Sequence, residues 1–176
     1  MQDYHFRLVH TDDSEYGEAV QFALSIYDSS LLHPVRQAFP HYLVMSRHGA
    51  LVAVCGYRSA AGGLMLEQFM EETACDYVNR YCGVSPSREV VVELGAFRVK
   101  STALTPLFSR HLKSALRDQG FEYALALSPS GAADISTWSR ERAAISNEST
   151  PAFAAGGSGD PALKVGVIPL LDVSSH

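Results

Sequence analysis

A glutamate inside an apolar strand is the residue in this sequence best placed to do chemistry. The run Glu89-Val90-Val91-Val92-Glu93-Leu94 is rich in β-branched residues, which is typical of a strand buried on both faces. A carboxylate in such a strand needs a partner or a cleft, because burying an unpaired charge is costly. Gly95 follows, and a glycine in a strand often marks a bulge or a close ligand. Glu93 is therefore predicted either to lie at a gap where its strand splays from a parallel neighbour and exposes backbone groups, or to form half of a salt bridge with Arg58 or Arg98.

Other chemical candidates are weaker. Arg58 follows a predicted strand and Glu67 lies one turn into a predicted helix, so both are candidate site residues or ordinary surface charges. His111 lies on the predicted apolar face of a helix, where it is either a packed or rim histidine or a proton carrier. The three cysteines are an odd number without metal-type spacing, and they are expected to be inert thiols with no metal bound. Motifs for nucleotide hydrolysis, dinucleotide binding, serine hydrolysis and zinc proteolysis are absent.

The elements that position these residues follow from hydrophobic periodicity and turn chemistry. The pattern predicts a strand-helix-strand unit, with its strands parallel, beside an antiparallel hairpin, which is a mixed α/β fold. The predicted elements are a helix over Ser14–Asp28, a hairpin of His41–Arg47 and Ala50–Tyr57 around His48-Gly49, a helix over Leu64–Arg80, a strand over Glu89–Leu94, a helix from Thr105 to Gly120, a strand over Phe121–Leu127, a helix over Asp134–Ile145, a loop over Asn147–Pro161 and an edge strand over Lys164–Leu170.

Composition limits the class of protein. The chain has 176 residues, of which 47% are hydrophobic and 19% charged, and this favours a single folded domain spanning residues 1–176. The net charge of −5 disfavours binding to nucleic acid or to anionic membranes. No signal peptide or membrane-spanning run is predicted, and the odd number of cysteines fits a reducing compartment. We therefore expect a soluble, cytoplasmic protein.

Three sequence blocks resemble the thermostable hemolysin family. They are Gly56-Tyr57-Arg58-Ser59-Ala60, Leu64-Met65-Leu66-Glu67-Gln68-Phe69-Met70 and Val92-Glu93-Leu94-Gly95-Ala96, which are similar to that family's "GYR-A", "FLEQYL" and "EVGNLA" blocks. The family is named for a hemolytic phenotype but is grouped with the GNAT-like acyltransferase fold. The same blocks are more distantly similar to acyl-homoserine lactone synthases. The resemblance covers about residues 20–127, and this chain departs from it at Ala96, where the family has asparagine, and at Asp28-Ser29-Ser30, where it has "YGA".

The resemblance implies a GNAT-like N-acyltransferase fold (α/β or α+β), with a mixed central sheet, splayed parallel strands and helices on both faces. An acyl-pantetheine arm would lie in a V-shaped gap between the strands Glu89–Leu94 and Phe121–Leu127, which reaches Gly95. It implies Glu93, Arg58 and Glu67 as catalytic residues, with Glu93 as general base and Arg58 or Arg98 orienting an anionic acceptor. The donor would be bound by Gly95, Ala96, Phe97, Arg98, Lys100, Ser101 and Thr102, with its phosphate at the start of the helix near Thr105.

The resemblance also implies the co-substrates and partners. No cofactor would be tightly bound; the acyl donor would be acyl-phosphopantetheine on a carrier protein, or acyl-CoA. Because the Q/RxxGxG/A pyrophosphate loop is missing, a carrier protein is favoured, and Lys100, Arg110 and Lys113 are expected to meet its acidic surface. The acceptor would be a small amine or amino acid. Two alternatives stay open: a membrane-active hemolysin, and a non-catalytic relative that binds acyl groups or carriers.

Overall fold

The two-residue turn His48-Gly49 joins the two strands of a hairpin near the N-terminus. A computed structural model describes residues 3–25, 39–129, 144–145 and 163–171 of the chain. In it, β2 (His41–Arg47) pairs antiparallel with β3 (Ala50–Ser59), and Arg47 lies opposite Ala50. His48 and Gly49 both have positive φ angles, 51° and 78°, which is the conformation that a two-residue hairpin turn needs. The predicted hairpin is confirmed.

An N-terminal strand was not predicted. β1 (Tyr4–His10) pairs antiparallel with β2 along its whole length. From Tyr4 to Leu8 half-buried residues alternate with exposed ones, which is the period-2 pattern of a strand with one face covered, and Val9 after them is buried. The alternation of Tyr4, Phe6 and Leu8 with polar residues was the signal available in the sequence. α1 (Tyr16–Leu24) follows within the predicted helix, whose residues 26–28 lie outside the described part of the chain.

The C-terminal strands extend the sheet around a helical connection. β4 (Val91–Val99) leads through α3 (Thr105–Asp118) to β5 (Tyr123–Pro129). With β6 (Ala144–Ile145) and β7 (Leu163–Pro169), the described part of the chain forms a sheet of seven strands in the order β1-β2-β3-β4-β5-β7-β6. β4 and β5 are thus neighbours joined by a helix, the kind of connection that parallel strands require. Gly120 follows α3 with a φ of 88°, as its predicted place after the helix requires.

The predicted helix over Leu64–Arg80 is wrong, because it is two elements. Residues Leu66–Phe69 form a 3₁₀ turn, and α2 runs over Ala74–Cys82. Two caps separate them: the hydroxyl of Thr73 accepts the Asp76 N–H, and the Glu67 carboxylate accepts the Ala74 N–H. Both caps accept hydrogen bonds from backbone N–H groups in the first turn of α2. These N–H groups need such partners because the helix itself offers them no carbonyl acceptor.

Two other predictions need correction. β7 is confirmed as a strand, but it is not at the edge, because β6 pairs with it on the side away from β5. Pro169 is tolerated because it is the last residue of β7. At the end of a strand, the N–H that proline lacks removes only a terminal hydrogen bond of the ladder. Ala144–Ile145 form strand β6 and not the end of a helix. The rest of that predicted helix and the predicted loop over Asn147–Pro161 lie outside the described residues.

The chain forms two compact units, and each has its own core. The first comprises residues 1–58 and 94–112, and the second comprises residues 59–93 and 113–176. The first core consists of Val9, Ala19, Ala23, Phe39, Tyr42, Val44, Val54 and Ala96. The second consists of Ala60, Leu64, Leu66, Ala74, Tyr77, Val78, Val91, Leu125, Val165 and Val167. The prediction of a single domain over residues 1–176 stays a prediction.

Candidate active site

Glu93 is buried on β4, and its carboxylate is hydrogen-bonded to backbone amides. It is 2% exposed, and its Oε2 accepts the Met65 N–H at 2.8 Å and the Leu66 N–H at 3.5 Å. These two amides begin the 3₁₀ turn over Leu66–Phe69, so they would otherwise have no backbone acceptor. Backbone donors favour the charged form of a carboxylate, which is the form a general base uses. The sequence analysis proposed arginine partners for Glu93 and did not foresee these amides, which lie 27 and 28 residues earlier in the chain.

The backbone of β4 leaves its regular conformation at Ala96. This residue is buried and has a φ of 50°, in the left-handed region that non-glycine residues rarely adopt. Such a conformation costs about 1–2 kcal/mol for a residue with a Cβ atom. The irregularity predicted at Gly95 is therefore found one residue later. Asparagine tolerates left-handed backbone better than alanine, which gives a conformational reason for the asparagine in the "EVGNLA" block.

The group that approaches Gly95 is the side chain of Phe39. A Cβ atom added to Gly95 would lie 2.3 Å from Cζ of Phe39, which no real contact permits. A Cβ added to Gly56, on the neighbouring strand β3, would lie 2.6 Å from Cγ of the same ring. Only glycine fits at these two positions, because a Cβ atom at either one would clash with the Phe39 ring. The sequence signal at Gly95, a glycine in an apolar strand, indicated a close approach but not which group makes it.

Glu67 is held in a two-pronged salt bridge. Its carboxylate oxygens accept from Nη1 and Nη2 of Arg88, both at 2.7 Å, and also from the N–H groups of Ala74 and Leu64. Hydrogen bonds from Arg88 are the largest cause that lowers the pKa of Glu67 to about 2. At neutral pH this carboxylate is ionised and its acceptor positions are occupied, so it is suited to holding the chain and not to carrying a proton. Arg88 was missed by the sequence analysis.

The two candidate arginines lie over aromatic rings of the first unit. The guanidinium of Arg58 is 5.4 Å from the centre of the Phe39 ring, and that of Arg98 is 4.7 Å from the centre of the Phe22 ring. Arg98 also donates to the carbonyl oxygen of Phe22 at 2.8 Å. Burial raises the pKa of the Tyr16 hydroxyl, while the positive charge of Arg58 lowers it. Arg58 is therefore close enough to Tyr16 for its charge to act there.

The predicted donor-binding residues after Ala96 also lie in the first unit. Phe97 packs on Phe108 of α3, with ring centres 5.5 Å apart. Lys100, Ser101 and Thr102 are exposed in the segment before α3. The Lys100 N–H donates to the Val52 carbonyl, and the Leu104 N–H donates to the Ser101 carbonyl. These two backbone donors are therefore already used within the protein.

The remaining candidates are less suited to catalysis. All three cysteines are free, and burial is the largest cause that raises the pKa of each thiol. A raised pKa removes the thiolate that nucleophilic attack requires. His111 is exposed on α3 and stacks on Phe6, with ring centres 3.6 Å apart, so the buried face of α3 is narrower than predicted. Within residues 3–25, 39–129, 144–145 and 163–171, no three His, Cys, Asp or Glu side chains are grouped to hold a metal ion.

Known structures define the class of fold. Over 97% of this chain, the AHL synthase LasI superposes with a TM-score of 0.64 at 11% identity, and 92% of its own chain is covered. FeeM, an N-acyl amino acid synthase from uncultured soil microbes, gives a TM-score of 0.59 at 9% identity, with 97% and 93% covered. The yncA protein of Salmonella typhimurium, solved with its cofactor acetyl-CoA, gives 0.58 at 11% identity, with 97% and 96% covered. The fold is the GNAT-like acyltransferase fold, as predicted.

The family follows from the sequence itself. Residues 9–130 match the family described as thermostable hemolysin. This chain belongs to the thermostable hemolysin family, which confirms the resemblance and extends it toward the N-terminus. A search of curated proteins gave no match. None of the helices in the described part of the chain has the length and apolar composition needed to cross a membrane.

Proposed function

We propose that the protein is an N-acyltransferase that moves an acyl group from a thioester to a small amine. The observation that carries the proposal is the buried Glu93 carboxylate, which accepts hydrogen bonds from backbone amides and lies on the strand that turns left-handed at Ala96. Proteins of the same fold include an AHL synthase and an N-acyl amino acid synthase. Both names are of acyl-transferring proteins, so the fold supports this class of reaction.

The proposed reaction needs a proton acceptor and a polarised carbonyl group. The amine nitrogen of the neutral acceptor attacks the thioester carbonyl carbon, a C–N bond forms, the C–S bond breaks, and the leaving sulfur receives from Glu93 the one proton that the nitrogen has lost. Glu93 takes the proton that the amine nitrogen loses, directly or through a water molecule. The backbone at Gly95 and Ala96 holds the carbonyl oxygen, and Arg58 or Arg98 orients the anionic group of the acceptor.

Glu67 has a positioning role in this proposal. Its salt bridge to Arg88 and its bond to the Leu64 N–H hold the segment that supplies the two amides bonded to Glu93. Arg88 adds a hydrogen bond from Nε to the Ala60 carbonyl at 2.8 Å. The carboxylates of Glu67 and Glu93 therefore both accept hydrogen bonds from backbone N–H groups of the segment Leu64–Leu66.

The donor and the setting of the reaction are also proposals. We favour acyl carrier protein over CoA, with the single phosphate of the pantetheine arm near Lys100, Ser101 and Thr102 at the start of α3. Helix N-termini stabilise phosphate through backbone N–H groups. The three free thiols fit a reducing environment, which agrees with a cytoplasmic location.

Replacing Glu93 with glutamine tests the proposal. Glutamine keeps the volume and an oxygen for the Met65 amide but cannot take a proton, so the single-turnover rate should fall about 10²–10⁴-fold. A hydrogen bond to a charged group contributes more than one to a neutral group, so a moderate fall in melting temperature is expected too. Rate and melting temperature are measured on the same protein.

The matched control is Glu89→Gln, which changes an exposed glutamate just before the same strand. It should leave the rate within about twofold, since surface substitutions away from special features have small effects. A near-normal rate in folded Glu93→Gln protein, together with a large fall in melting temperature, would assign Glu93 to structure alone.

A further inference from the structure

The ring of Phe39 fills the space above two neighbouring glycines. It is 4% exposed, and its Cγ end faces Gly56 while its Cζ end faces Gly95. The ring thus spans β3 and β4 at the point where the backbone of β4 turns left-handed. Side chains at either glycine would displace it, so both positions are fitted to this ring.

The backbone of Phe39 is held by two tyrosine hydroxyl groups. The Tyr16 hydroxyl donates to the Phe39 carbonyl at 2.7 Å, and the Phe39 N–H donates to the Tyr42 hydroxyl at 3.1 Å. Tyr42 is itself 1% exposed and packs edge-on against the Phe39 ring, with ring centres 6.4 Å apart. A side chain fixed at both its backbone and its ring makes a rigid platform.

Arg58 lies on this platform. Its guanidinium is 5.4 Å from the ring centre, within the range of a cation–π interaction. Arg58 is half-buried on β3, two residues after Gly56, and Tyr16 lies within reach of its charge. The cation–π contact favours those conformations of the long arginine side chain in which the guanidinium lies over the ring.

We propose that Phe39 is a positioning residue that determines which acceptor the protein uses, by presenting Arg58 to the carboxylate of an amino-acid acceptor. The inference rests on the proposed acyltransferase function and adds Phe39 as the residue that positions Arg58, and so selects Arg58 over Arg98 as the group that meets the carboxylate. Phe39 takes no part in bond making. It acts through Arg58, whose guanidinium pairs with a carboxylate by two parallel hydrogen bonds.

Phe39→Leu tests the proposal, because leucine keeps most of the volume and removes the aromatic face. Dodecanoyl carrier protein is the donor. The acceptors are the amino acid that wild-type protein acylates best from a mixture of twenty, and the carboxamide of that amino acid. The KM for the amino acid should rise about 3- to 10-fold while kcat stays within about twofold, and the preference for the acid over its carboxamide should fall by the same factor.

A double-mutant cycle shows whether Phe39 acts through Arg58. Arg58→Gln should raise the KM more than Phe39→Leu does, and the double variant should match Arg58→Gln alone, since residues that act through one contact are not additive. Tyr81→Leu is the matched control, because it removes another ring that lies under an arginine, Arg80, at 4.7 Å. It should leave the KM and the acid preference unchanged.

The outcomes separate the two claims. Unchanged KM and preference in Phe39→Leu, or full additivity with Arg58→Gln, overturns the role of Phe39 and leaves the acyltransferase intact. A wild-type protein that acylates carboxamides as well as acids overturns it too. A wild-type protein that acylates no amine contradicts the proposed function itself. Melting temperatures confirm folding, and Phe39→Met replaces Phe39→Leu if the leucine variant does not fold.

Discussion

Glu67 and Glu93 show how two carboxylates in one unit can have different uses. Glu67 pairs with a guanidinium that fills both of its oxygens, and its pKa falls to about 2. Glu93 accepts hydrogen bonds from two backbone amides on Oε2. The guanidinium of Arg88 makes Glu67 a poor base, because a neighbouring positive charge favours the ionised carboxylate. We therefore propose Glu93, and not Glu67, as the group that takes the proton.

Glu67→Gln should lower the free energy of unfolding by about 1.5–3 kcal/mol at pH 7, the usual range for hydrogen bonds to charged groups. The pKa of Glu67 falls from an ordinary value of 4.5 to about 2 on folding. Its stabilisation is therefore complete above pH 4.5 and is lost as the pH falls from 4.5 to 2. Urea unfolding at several pH values should show that the gap between wild type and Glu67→Gln closes over that interval.

Glu72→Gln is the control for that experiment. Glu72 pairs with Arg80, whose side chain is 43% exposed, and exposed ion pairs contribute about 0–1 kcal/mol. It should change the free energy of unfolding much less than Glu67→Gln does. A gap for Glu67→Gln that stays constant down to pH 2 would contradict the assigned salt bridge.

At the scale of elements, turns and caps decided where helices and strands begin and end. The hairpin β2–β3 follows from a turn that needs two positive φ angles. α2 begins at Ala74 because Thr73 and Glu67 satisfy its first amides. The apolar stripe that predicted one long helix continues across this break. Periodicity therefore located the apolar residues but not the helix boundary.

The same substitution should have opposite effects in the turn and in a helix. Gly49→Ala places a Cβ at a φ of 78° and should destabilise the protein by about 1 kcal/mol. Gly17→Ala, at the start of α1, meets nothing within 4 Å and should stabilise it by about 0.5 kcal/mol, since alanine favours helix. Thermal unfolding of the two variants measures both effects. Equal signs would contradict the turn conformation.

At the scale of the whole molecule, local charge matters more than the total. The chain carries a net charge of −5, but Lys100 and Arg110 are exposed basic residues just before and within α3. An acidic carrier protein would be repelled by the chain as a whole and attracted by such a basic region. The Lys100 and Leu104 amides already donate to carbonyl oxygens within the protein.

We predict a kcat/KM at least about 10-fold higher for an acyl carrier protein than for the same acyl-CoA. Lys100→Glu should raise the KM for the carrier about 3- to 10-fold, in a salt-dependent way, and leave the KM for free acyl-pantetheine unchanged. Arg117→Glu, an exposed change near the other end of α3, is the control. Equal or better use of acyl-CoA would contradict the preference for a carrier.

The sequence by itself determined the elements whose causes are local. The turn at His48-Gly49, the start and end of α3, and the apolar strand around Glu93 follow from neighbouring residues, because turn chemistry, capping and periodicity act over a few positions. Burial of Glu93 could also be predicted, since its neighbours in the strand are apolar. The family blocks indicated the GNAT-like fold in the same way, through short runs of residues.

Only the tertiary structure decided what those residues contact. Glu93 meets amides 27 and 28 residues away, Glu67 meets Arg88 across 21 residues, and Phe39 lies on glycines of two later strands. Hydrogen-bond and packing partners are chosen by proximity in space, and several arginines and amides in the sequence were equally acceptable partners for Glu93. The left-handed backbone at Ala96 is likewise imposed by its surroundings, since alanine by itself disfavours it.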